Sequence, residues 1–319
     1  MELRRQSLES ALQAGPNSQQ GFGPSVAVLG IFDGFHQGHR QLLQEAASAA
    51  RLRGLPLAVL TFDPHPTILL APEHRPKLLM TLDQRLAAFR EAGADLAWII
   101  PFSRAFSEIE PLTFLEQLGR AITPVELHVG TAFRFGHRRS GDLETLQSWG
   151  SKNGCRIHPC AFRASDSGML SSTRIRGALD AGDVILAADL LGRPFTLTGI
   201  VVEGERRGRH LGFPTANLAW EQEQLPAMGV YVTRVRSSHI ENAWMGLTNV
   251  GDKPTFQGRT LTIETHLPEF SGDLYGARLE LAFLHRLRGE QRFDGIESLQ
   301  AQIAKDVREG QAWWHTQHP

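Results

Sequence analysis

The segment Gly30–His39 reads GIFDGFHQGH and carries residue types suited to phosphate chemistry. It follows an apolar run and precedes a helical pattern, so it should end at a helix N-terminus, where unpaired N–H groups bind anions. His36 and His39 share a helical face, from which both can donate hydrogen bonds to a triphosphate. The spacing predicts nucleotidylyl transfer; a helix-capping loop or a metal-binding histidine pair are the alternatives. The further predicted ATP contacts here are Gly30, Asp33 and Gly38.

A second hydroxyl-rich segment, Ser171–Arg176, precedes an Ala/Leu-rich helix. Hydroxyls and an arginine at a helix start can bind phosphate. Taken alone, the segment would be an ordinary N-cap followed by a surface arginine. The nucleotidyltransferases that the first half resembles carry both signatures, which favours the phosphate interpretation. The predicted ATP contacts are Ser172, Thr173 and Arg176.

A third segment, Gly204–Asn217, reads GERRGRHLGFPTAN. Its glycines allow a tight loop against phosphates. Thr215 and Asn217 are two residues apart, so both side chains point the same way on an extended chain, and such oxygen ligands suit Mg²⁺. A basic surface loop is the alternative. The predicted ATP contacts are Gly204, Gly208, Arg209, Thr215 and Asn217, of which Thr215 and Asn217 are also the predicted metal ligands.

The elements that must position these residues differ between the two halves of the chain. In the first half, strands at 26–32, 57–62, 96–100, 125–129 and 156–161 alternate with helices at 40–53, 81–91, 113–118 and 142–151. Such alternation predicts a parallel sheet with right-handed crossovers. Ligands of these sheets bind beyond the carboxyl ends of the strands, where Gly30–His39 lies.

The second half has a different pattern. Two short helices are predicted over 171–191, and strand-like runs follow at 195–202, 230–235, 244–250, 261–267 and 278–284. Several alternate at period two, which predicts an antiparallel sheet or small barrel, followed by a final helix. We therefore predict a leader at 1–24, as a short helix or loose segment, an α/β domain with a Rossmann-like parallel sheet at 25–188, and an antiparallel β-barrel domain with a terminal helix at 189–319.

The composition is that of a globular protein with balanced charge. The chain has 319 residues, 41% hydrophobic and 21% charged, which is enough for two cores. Lys+Arg is 33 and Asp+Glu is 34, so a general nucleic-acid or membrane-surface binder is not expected. Cys155 and Cys160 are expected to be buried, reduced thiols. We expect a cytoplasmic monomer or weak homo-oligomer.

Two further segments make a family resemblance specific. Phe62–Pro66 reads FDPHP and Gly130–Gly136 reads GTAFRFG. With the three segments above, they make the chain resemble the bacterial bifunctional riboflavin kinase/FMN adenylyltransferase family, also called FAD synthetase, over about residues 25–307. The resemblance implies a nucleotidylyltransferase-type first domain that converts FMN and ATP to FAD and pyrophosphate. It implies a second domain that phosphorylates riboflavin to FMN with ATP and Mg²⁺.

The resemblance also implies roles for individual residues. His36 and His39 match the family's ATP-phosphate histidines, and Glu264 matches its kinase general base, which takes the proton of the ribityl 5′-hydroxyl. Asn249–Phe256 and Asp273–Gly276 are expected to form pocket walls. The predicted flavin contacts are Phe62, Asp63, Pro64, Phe135, Phe213 and Arg288.

Ala132 departs from the family pattern. The family usually has Asn or Asp at this place in the motif that includes Phe133 and Phe135, where a polar side chain assists the reacting phosphates. A methyl group can neither donate nor accept a hydrogen bond, and losing one such bond can cost roughly 10²–10³ in rate. Two alternatives stay open: a riboflavin kinase with a weakened or inactive adenylyltransferase domain, and a flavin-binding regulator without turnover.

Overall fold

The computed structural model describes residues 1–7, 10, 23–162, 168–205, 207–237, 240–255 and 258–317. The chain divides into two compact units, Met1–Leu170 and Ser171–Pro319, and each is described by itself. Among the described residues, no helix combines the length and apolar character needed to cross a membrane. Most of the predicted leader, 8–9 and 11–22, lies outside the described residues.

The first unit is built on a six-stranded parallel sheet with the order β1-β4-β3-β2-β5-β6. Its strands are β1 Glu2–Arg5, β2 Ser25–Leu29, β3 Leu57–Asp63, β4 Leu96–Pro101, β5 Pro124–Gly130 and β6 Arg156–Cys160. Its helices are α1 Gln37–Arg53, α2 Pro66–Leu70, α3 Leu82–Glu91, α4 Arg104–Ser107, α5 Pro111–Ile122 and α6 Leu143–Asn153. β2 is buried along its whole length, as expected of a central parallel strand covered on both faces.

Strand β1 corrects the prediction of a helix or loose leader at the N-terminus. Glu2 pairs with Leu96 and Arg5 pairs with Ile99, so β1 extends the sheet beyond β4. The indole N–H of Trp98 also donates to the carbonyl of Gln6 at 2.9 Å. β1 was not predicted because its sequence, ELRR, contains no run or alternation of apolar residues, which is the pattern from which strands are predicted. An edge strand can form without that pattern because it is held mainly by backbone hydrogen bonds.

The second unit is a closed antiparallel barrel with the order β10-β11-β8-β7-β12-β9. Its strands are β7 Phe195–Val202, β8 Thr215–Trp220, β9 Gly229–Ser237, β10 Ile240–Thr255, β11 Gly258–His266 and β12 Arg278–Arg288. Its helices are α7 Ser172–Ala181, α8 Val184–Leu191, α9 Arg207–His210 and α10 Ile296–Gln317. The predicted fold class, an α/β domain followed by a β-barrel with a terminal helix, is confirmed.

The two units meet at a different residue from the one that the sequence predicts. The structural division falls after Leu170, whereas the sequence places the domain boundary between 188 and 189. Helices α7 and α8 account for the difference, because α8 packs against β7 and β12 through buried residues such as Leu190. The sequence-based assignment of residues up to 188, and so of α7, to the first functional domain stays a prediction.

Gly199 of β7 provides a test of the barrel packing. A Cβ at this position would overlap the backbone carbonyl of Ala219 on β8, so Gly199→Ala should lower the free energy of unfolding of the second unit by about 1–3 kcal/mol. Gly177→Ala is the matched control, since a Cβ there meets nothing within 4 Å and alanine favours the helix by about 0.5–1 kcal/mol. Urea denaturation followed by circular dichroism measures both; equal effects of the two substitutions would contradict the packing.

Candidate active sites

His36 and His39 form a stacked pair at the start of α1. His36 is the N-cap, and its Nδ1 accepts from the backbone N–H of His39 at 3.4 Å. The two ring centroids lie 3.8 Å apart with an interplanar angle of 15°. His36 is only 3% exposed. The predicted helix N-terminus is therefore present, and the two imidazoles stand at it as one unit.

His39 is a neutral ring with an unsatisfied nitrogen. Burial, with repulsion from His36, lowers the pKa of His39 well below its ordinary value of 6.5. Its Nδ1 is buried and has no hydrogen-bond partner among the described residues. Because buried polar atoms are nearly always paired, this nitrogen fits a site that a polar ligand completes.

The loop that carries the pair is locally strained. Phe32 has φ +61°, Gly34 +84° and Phe35 +42°, and left-handed backbone at the two phenylalanines costs about 1–3 kcal/mol each. Both rings are buried, and Phe32 makes an edge contact with His39 at 5.3 Å between centroids. Aromatic packing thus holds the loop in the conformation that presents the histidines.

Gly30 and Gly38, predicted as ATP contacts, have packing roles of their own. A Cβ on Gly38 would lie 2.6 Å from the ring of Phe162, and one on Gly30 would lie 2.8 Å from the ring of Phe32. Phe162 lies edge-on to His36 at 5.6 Å between centroids. The sequence reasoning missed Phe162, because a single phenylalanine after β6 belongs to no motif.

Asp33 also has a contact within the protein. Its carboxylate accepts from the backbone N–H of Leu79 at 3.0 Å and of Met80 at 3.2 Å. It therefore ties the histidine loop to the segment before α3. Whether Gly30, Asp33 and Gly38 also touch ATP stays a prediction.

Asp63 lies between two arginines at the carboxyl end of β3. It accepts from Arg5 at 2.8 Å and from Arg85 at 3.5 Å. Arg85 is buried and also donates to the carbonyl of Phe62 at 3.2 Å. Neither arginine was singled out in the sequence, since Arg5 lies in the unrecognised strand β1 and Arg85 in the middle of a helix. Pro64 follows Asp63 in a cis peptide bond.

Phenylalanines from β3, from the segments after β4 and β5, and from helices α4 and α5 pack into one cluster. The members in ring contact are Phe62, Phe102, Phe106, Phe114, Phe133 and Phe135. Phe62 is 6% and Phe135 is 7% exposed, so little of either ring is available to a flavin in this conformation. Phe133 is only partly buried and stacks on Phe135 at 5.7 Å with an angle of 13°. The flavin contacts of Phe62 and Phe135 stay predictions.

Ala132 lies exposed in the turn after β5. The turn is closed by the N–H of Phe133, which donates to the carbonyl of Gly130 at 2.9 Å, while the N–H of Thr131 donates to the carbonyl of Cys160 at 3.1 Å. The backbone shape is therefore set by its own hydrogen bonds, and the side chain at 132 faces solvent.

The second predicted phosphate clamp lies in the second unit. Ser171 caps α7 by accepting from the N–H of Arg174 at 3.3 Å. Ser172, Thr173 and Arg176 fall in the first turns of this helix, and Thr173 is exposed. The helix start that the sequence predicts is present; phosphate binding there stays a prediction.

In the barrel, three strands bring three polar residues into one row. Asn217 of β8 lies opposite Glu264 of β11, and Glu264 lies opposite Asn249 of β10. The Thr215 hydroxyl donates to Glu264 Oε2 at 3.1 Å. The structure thus joins the predicted kinase base with both predicted metal ligands. Asn249, which the sequence placed only in a pocket wall, belongs to the same row.

The loop before β8 packs its glycines onto these side chains. A Cβ on Gly204 would overlap the amide of Asn217, and one on Gly208 would lie 3.2 Å from Thr215 Oγ1. For a Cβ on Gly208 the nearest atom is the backbone carbonyl oxygen of Phe213, at 2.5 Å. This packing leaves no room for a Cβ at either glycine, and the approach of the loop to phosphates stays a prediction. Arg209 is exposed.

Phe213 is anchored beside the same strands. Its ring lies edge-on to His266 at 5.7 Å, and the Nδ1–H of His266 donates to the carbonyl of Pro214 at 2.8 Å. Burial lowers the pKa of His266, against the opposing effect of that hydrogen bond, so the ring is neutral near pH 7. Phe213 is half-buried, which leaves ring surface for its predicted flavin contact.

Arg288 forms an ion pair with the terminal helix. Its guanidinium donates to Asp306 of α10, with Nη2 at 2.8 Å from Oδ2 and Nε at 3.1 Å from Oδ1. It also lies 5.8 Å from the ring of Phe293. Asp306 is 3% exposed. Arg288 therefore has a structural role, and its predicted flavin contact stays a prediction.

Comparisons with known proteins decide the family. A family model described as riboflavin kinase matches residues 191–314, and one described as FAD synthetase matches residues 18–174. The bifunctional riboflavin kinase/FMN adenylyltransferase of Escherichia coli (strain K12) is 37% identical over 282 residues, 88% of this chain and 90% of that protein. The chain belongs to the bifunctional riboflavin kinase/FMN adenylyltransferase family. The predicted family and the two predicted transferase activities are confirmed.

Other relatives agree over nearly the whole length. The Bacillus subtilis (strain 168) enzyme of the same name is 35% identical over 291 residues, 89% of this chain and 91% of that protein. A crystal structure titled macrolide-efflux protein from Streptococcus pneumoniae has a TM-score of 0.87 at 28% identity, covering 98% of this chain and all of that one. ATP, riboflavin, FMN and FAD are the substrates and products that fit a riboflavin kinase/FMN adenylyltransferase.

The Arg288–Asp306 ion pair can be tested by removing the carboxylate. Asp306→Ala leaves the mostly buried Arg288 guanidinium without its carboxylate partner, so we expect the second unit to lose about 3 kcal/mol of unfolding free energy. Lys305→Ala is the control on the same helix, since its pair with Glu309 is exposed and 3.7 Å long, and it should cost no more than about 0.5 kcal/mol. Chemical denaturation compares them; similar losses for both would argue against a structural role of the buried pair.

Proposed function

We propose that Glu264, Thr215 and Asn217 carry the riboflavin kinase reaction and that His36 and His39 carry FMN adenylylation. The observation that most supports the first assignment is the 3.1 Å hydrogen bond from the Thr215 hydroxyl to Glu264 Oε2. It joins two residues 49 positions apart in the chain, at the place where Asn217 lies opposite Glu264.

In the proposed kinase step, Glu264 accepts the proton of the ribityl 5′-hydroxyl of riboflavin. The hydroxyl oxygen then attacks the γ-phosphorus of ATP, the bond from that phosphorus to the bridging oxygen breaks, and ADP leaves. A carboxylate has several acceptor positions, so Glu264 can accept from Thr215 and still act as a base. Positioning and charge neutralisation supply most of the rate of such a transfer.

The residues around Glu264 fit Mg²⁺. The Thr215 hydroxyl and the Asn217 amide oxygen are hard donors of the kind that Mg²⁺ prefers, and a Cβ on Gly204 would displace the Asn217 amide. We propose that Thr215 and Asn217 hold the ion together with ATP phosphates. The ion, when bound, would neutralise charge on the phosphate oxygens.

In the proposed adenylylation, a phosphate oxygen of FMN attacks the α-phosphorus of ATP and pyrophosphate leaves. His36 and His39 would donate hydrogen bonds to the phosphate oxygens, aided by the N-terminus of α1. The low pKa of His39 means that it acts as a neutral donor. Ser172, Thr173 and Arg176 remain proposed phosphate contacts.

The proposal extends to the setting of the enzyme. Cys155 and Cys160 are buried thiols outside any disulfide, and burial, with a contribution from Glu126, raises the pKa of Cys155 to about 12. Two inert thiols suit a reducing compartment. We therefore propose a cytoplasmic monomer or weak homo-oligomer whose partners are small molecules rather than nucleic acid or membranes.

Glu264→Gln tests the kinase assignment. With riboflavin, ATP and Mg²⁺, FMN formation should fall about 10²–10⁴-fold, because the amide cannot take the proton. FAD formation from supplied FMN should be unchanged. The control is Glu280→Gln, a half-buried carboxylate on β12, which should leave both rates intact. Chromatographic separation of the flavins gives both readouts, and a kinase rate close to wild type in Glu264→Gln would refute the assignment.

Ala132→Asn tests the departure from the family pattern. If the missing polar group limits the rate, FAD formation from FMN should rise, by up to roughly 10²–10³-fold. Ala132→Leu has similar bulk without polarity and should not raise it. An unchanged or lower rate in Ala132→Asn would contradict a limiting role for this position.

A further inference from the structure

A cluster of Glu126, His128 and His158 lies on strands β5 and β6, away from both proposed active sites. Glu126 and His128 are two residues apart on β5 and share a face of the sheet, while His128 lies directly opposite His158 on β6. Glu126 and His128 are buried, and the His158 side chain is 38% exposed. Each residue offers one ligand atom, and all three atoms lie within 4.8 Å of one another.

Two of the three separations match those between ligands of one metal ion. The His128 and His158 rings stack with centroids 4.5 Å apart and an interplanar angle of 12°, so a shared ion requires the more exposed His158 ring to turn toward it. Glu126 Oε2 lies 3.4 Å from His128 Nε2 and 3.3 Å from His158 Nε2. Tetrahedral Zn²⁺ with bonds of about 2.0–2.1 Å places its ligand atoms roughly 3.3 Å apart. His158 Nε2 is buried and makes no hydrogen bond with any described residue, although Glu126 Oε2 lies only 3.3 Å away.

Arg53 orients the Glu126 carboxylate through an oxygen other than the proposed ligand atom Oε2. Arg53 donates to Glu126 Oε1, the other carboxylate oxygen, so Oε2 faces the two rings. A partner of this kind fixes a metal ligand in place.

The cluster is separate from the nucleotide loop. Arg53 is the last residue of α1, whose 17 residues begin immediately after His36. A helix of that length spans about 25 Å, so Arg53, which contacts Glu126, lies at the opposite end of α1 from the histidine pair. The His158 side chain is 38% exposed, so the cluster lies near the protein surface.

We propose that Glu126, His128 and His158 form a binding site for a divalent transition-metal ion, with Zn²⁺ as the preferred occupant. One carboxylate and two imidazoles suit Zn²⁺ or Co²⁺, whereas Mg²⁺ prefers oxygen ligands throughout. The ion would tie β5 to β6 and stabilise the first unit.

Co²⁺ titration of the full chain after chelator treatment, without nucleotide, tests the proposal. Wild-type protein should bind a single Co²⁺ with the visible absorption bands of a tetrahedral site, and Zn²⁺ should displace it. His158→Asn should weaken binding about 100-fold or more, since outer-shell changes alone cost 10–100-fold. His315→Asn, a change of an exposed histidine on α10, should bind as wild type does.

Thermal unfolding supplies a second readout. Zn²⁺ should raise the unfolding temperature of wild type and of His315→Asn but not of His158→Asn, and metal-free His158→Asn should show the native circular dichroism spectrum. Equal Co²⁺ affinity in wild type and His158→Asn would overturn the proposal. So would loss of binding in His39→Asn instead, because the ion would then sit at the histidine pair of α1.

Discussion

The register between β8 and β11 is the constraint on which the kinase site depends. Asn217 faces Glu264 only because these two strands pair at this position, and a shift by one residue would turn every side chain of the strand to the opposite face. Closure of the barrel holds the register, since β8 is bonded to β7 on its other side. Inside the barrel, hydroxyls of Thr233, Thr248 and Thr265 form a fully buried chain of hydrogen bonds, which further resists slippage.

The first unit positions its predicted site residues in a different way. Parallel strands deliver their following loops to one edge of the sheet, so the segments after β2, β3 and β5 meet there by topology. The fine placement then comes from aromatic packing around the histidine pair and from arginines around Asp63. Most of these contacts come from residues outside the motifs, such as Phe162, Arg5 and Arg85.

The sequence predicts the architecture and the motif residues well, for physical reasons. Buried parallel strands are continuous apolar runs and long helices have clear periodicity, so most strands and the longer helices were predicted within a few residues. The short helices α2, α4 and α9 were not predicted. Strand β1 was missed because its charged side chains carry no periodic signal. β8 was not predicted as a strand either, although Thr215 and Asn217 were correctly expected to point the same way on an extended segment.

Contacts between distant residues could not be predicted from local patterns. The packing of Phe162 against Gly38, the ion pair of Arg288 with Asp306 and the arginines beside Asp63 join residues that no spacing rule connects. A glycine in a nucleotide motif was interpreted as room for a ligand, whereas Gly38 also makes room for a phenylalanine ring. A motif indicates one role for a residue, whereas the fold can give the same residue a second role.

The short charged strand β1 has a consequence for the behaviour of the protein in concentrated solution. Its neighbour β4 is apolar and buried from Leu96 to Ile100, and as an outermost strand it would present unpaired backbone groups to any extended chain nearby. An unprotected apolar edge of this kind is a template for intermolecular strand addition. β1 covers this edge and carries Glu2, Arg4 and Arg5, so the outermost strand of the sheet is short and mostly charged, two features that oppose strand addition.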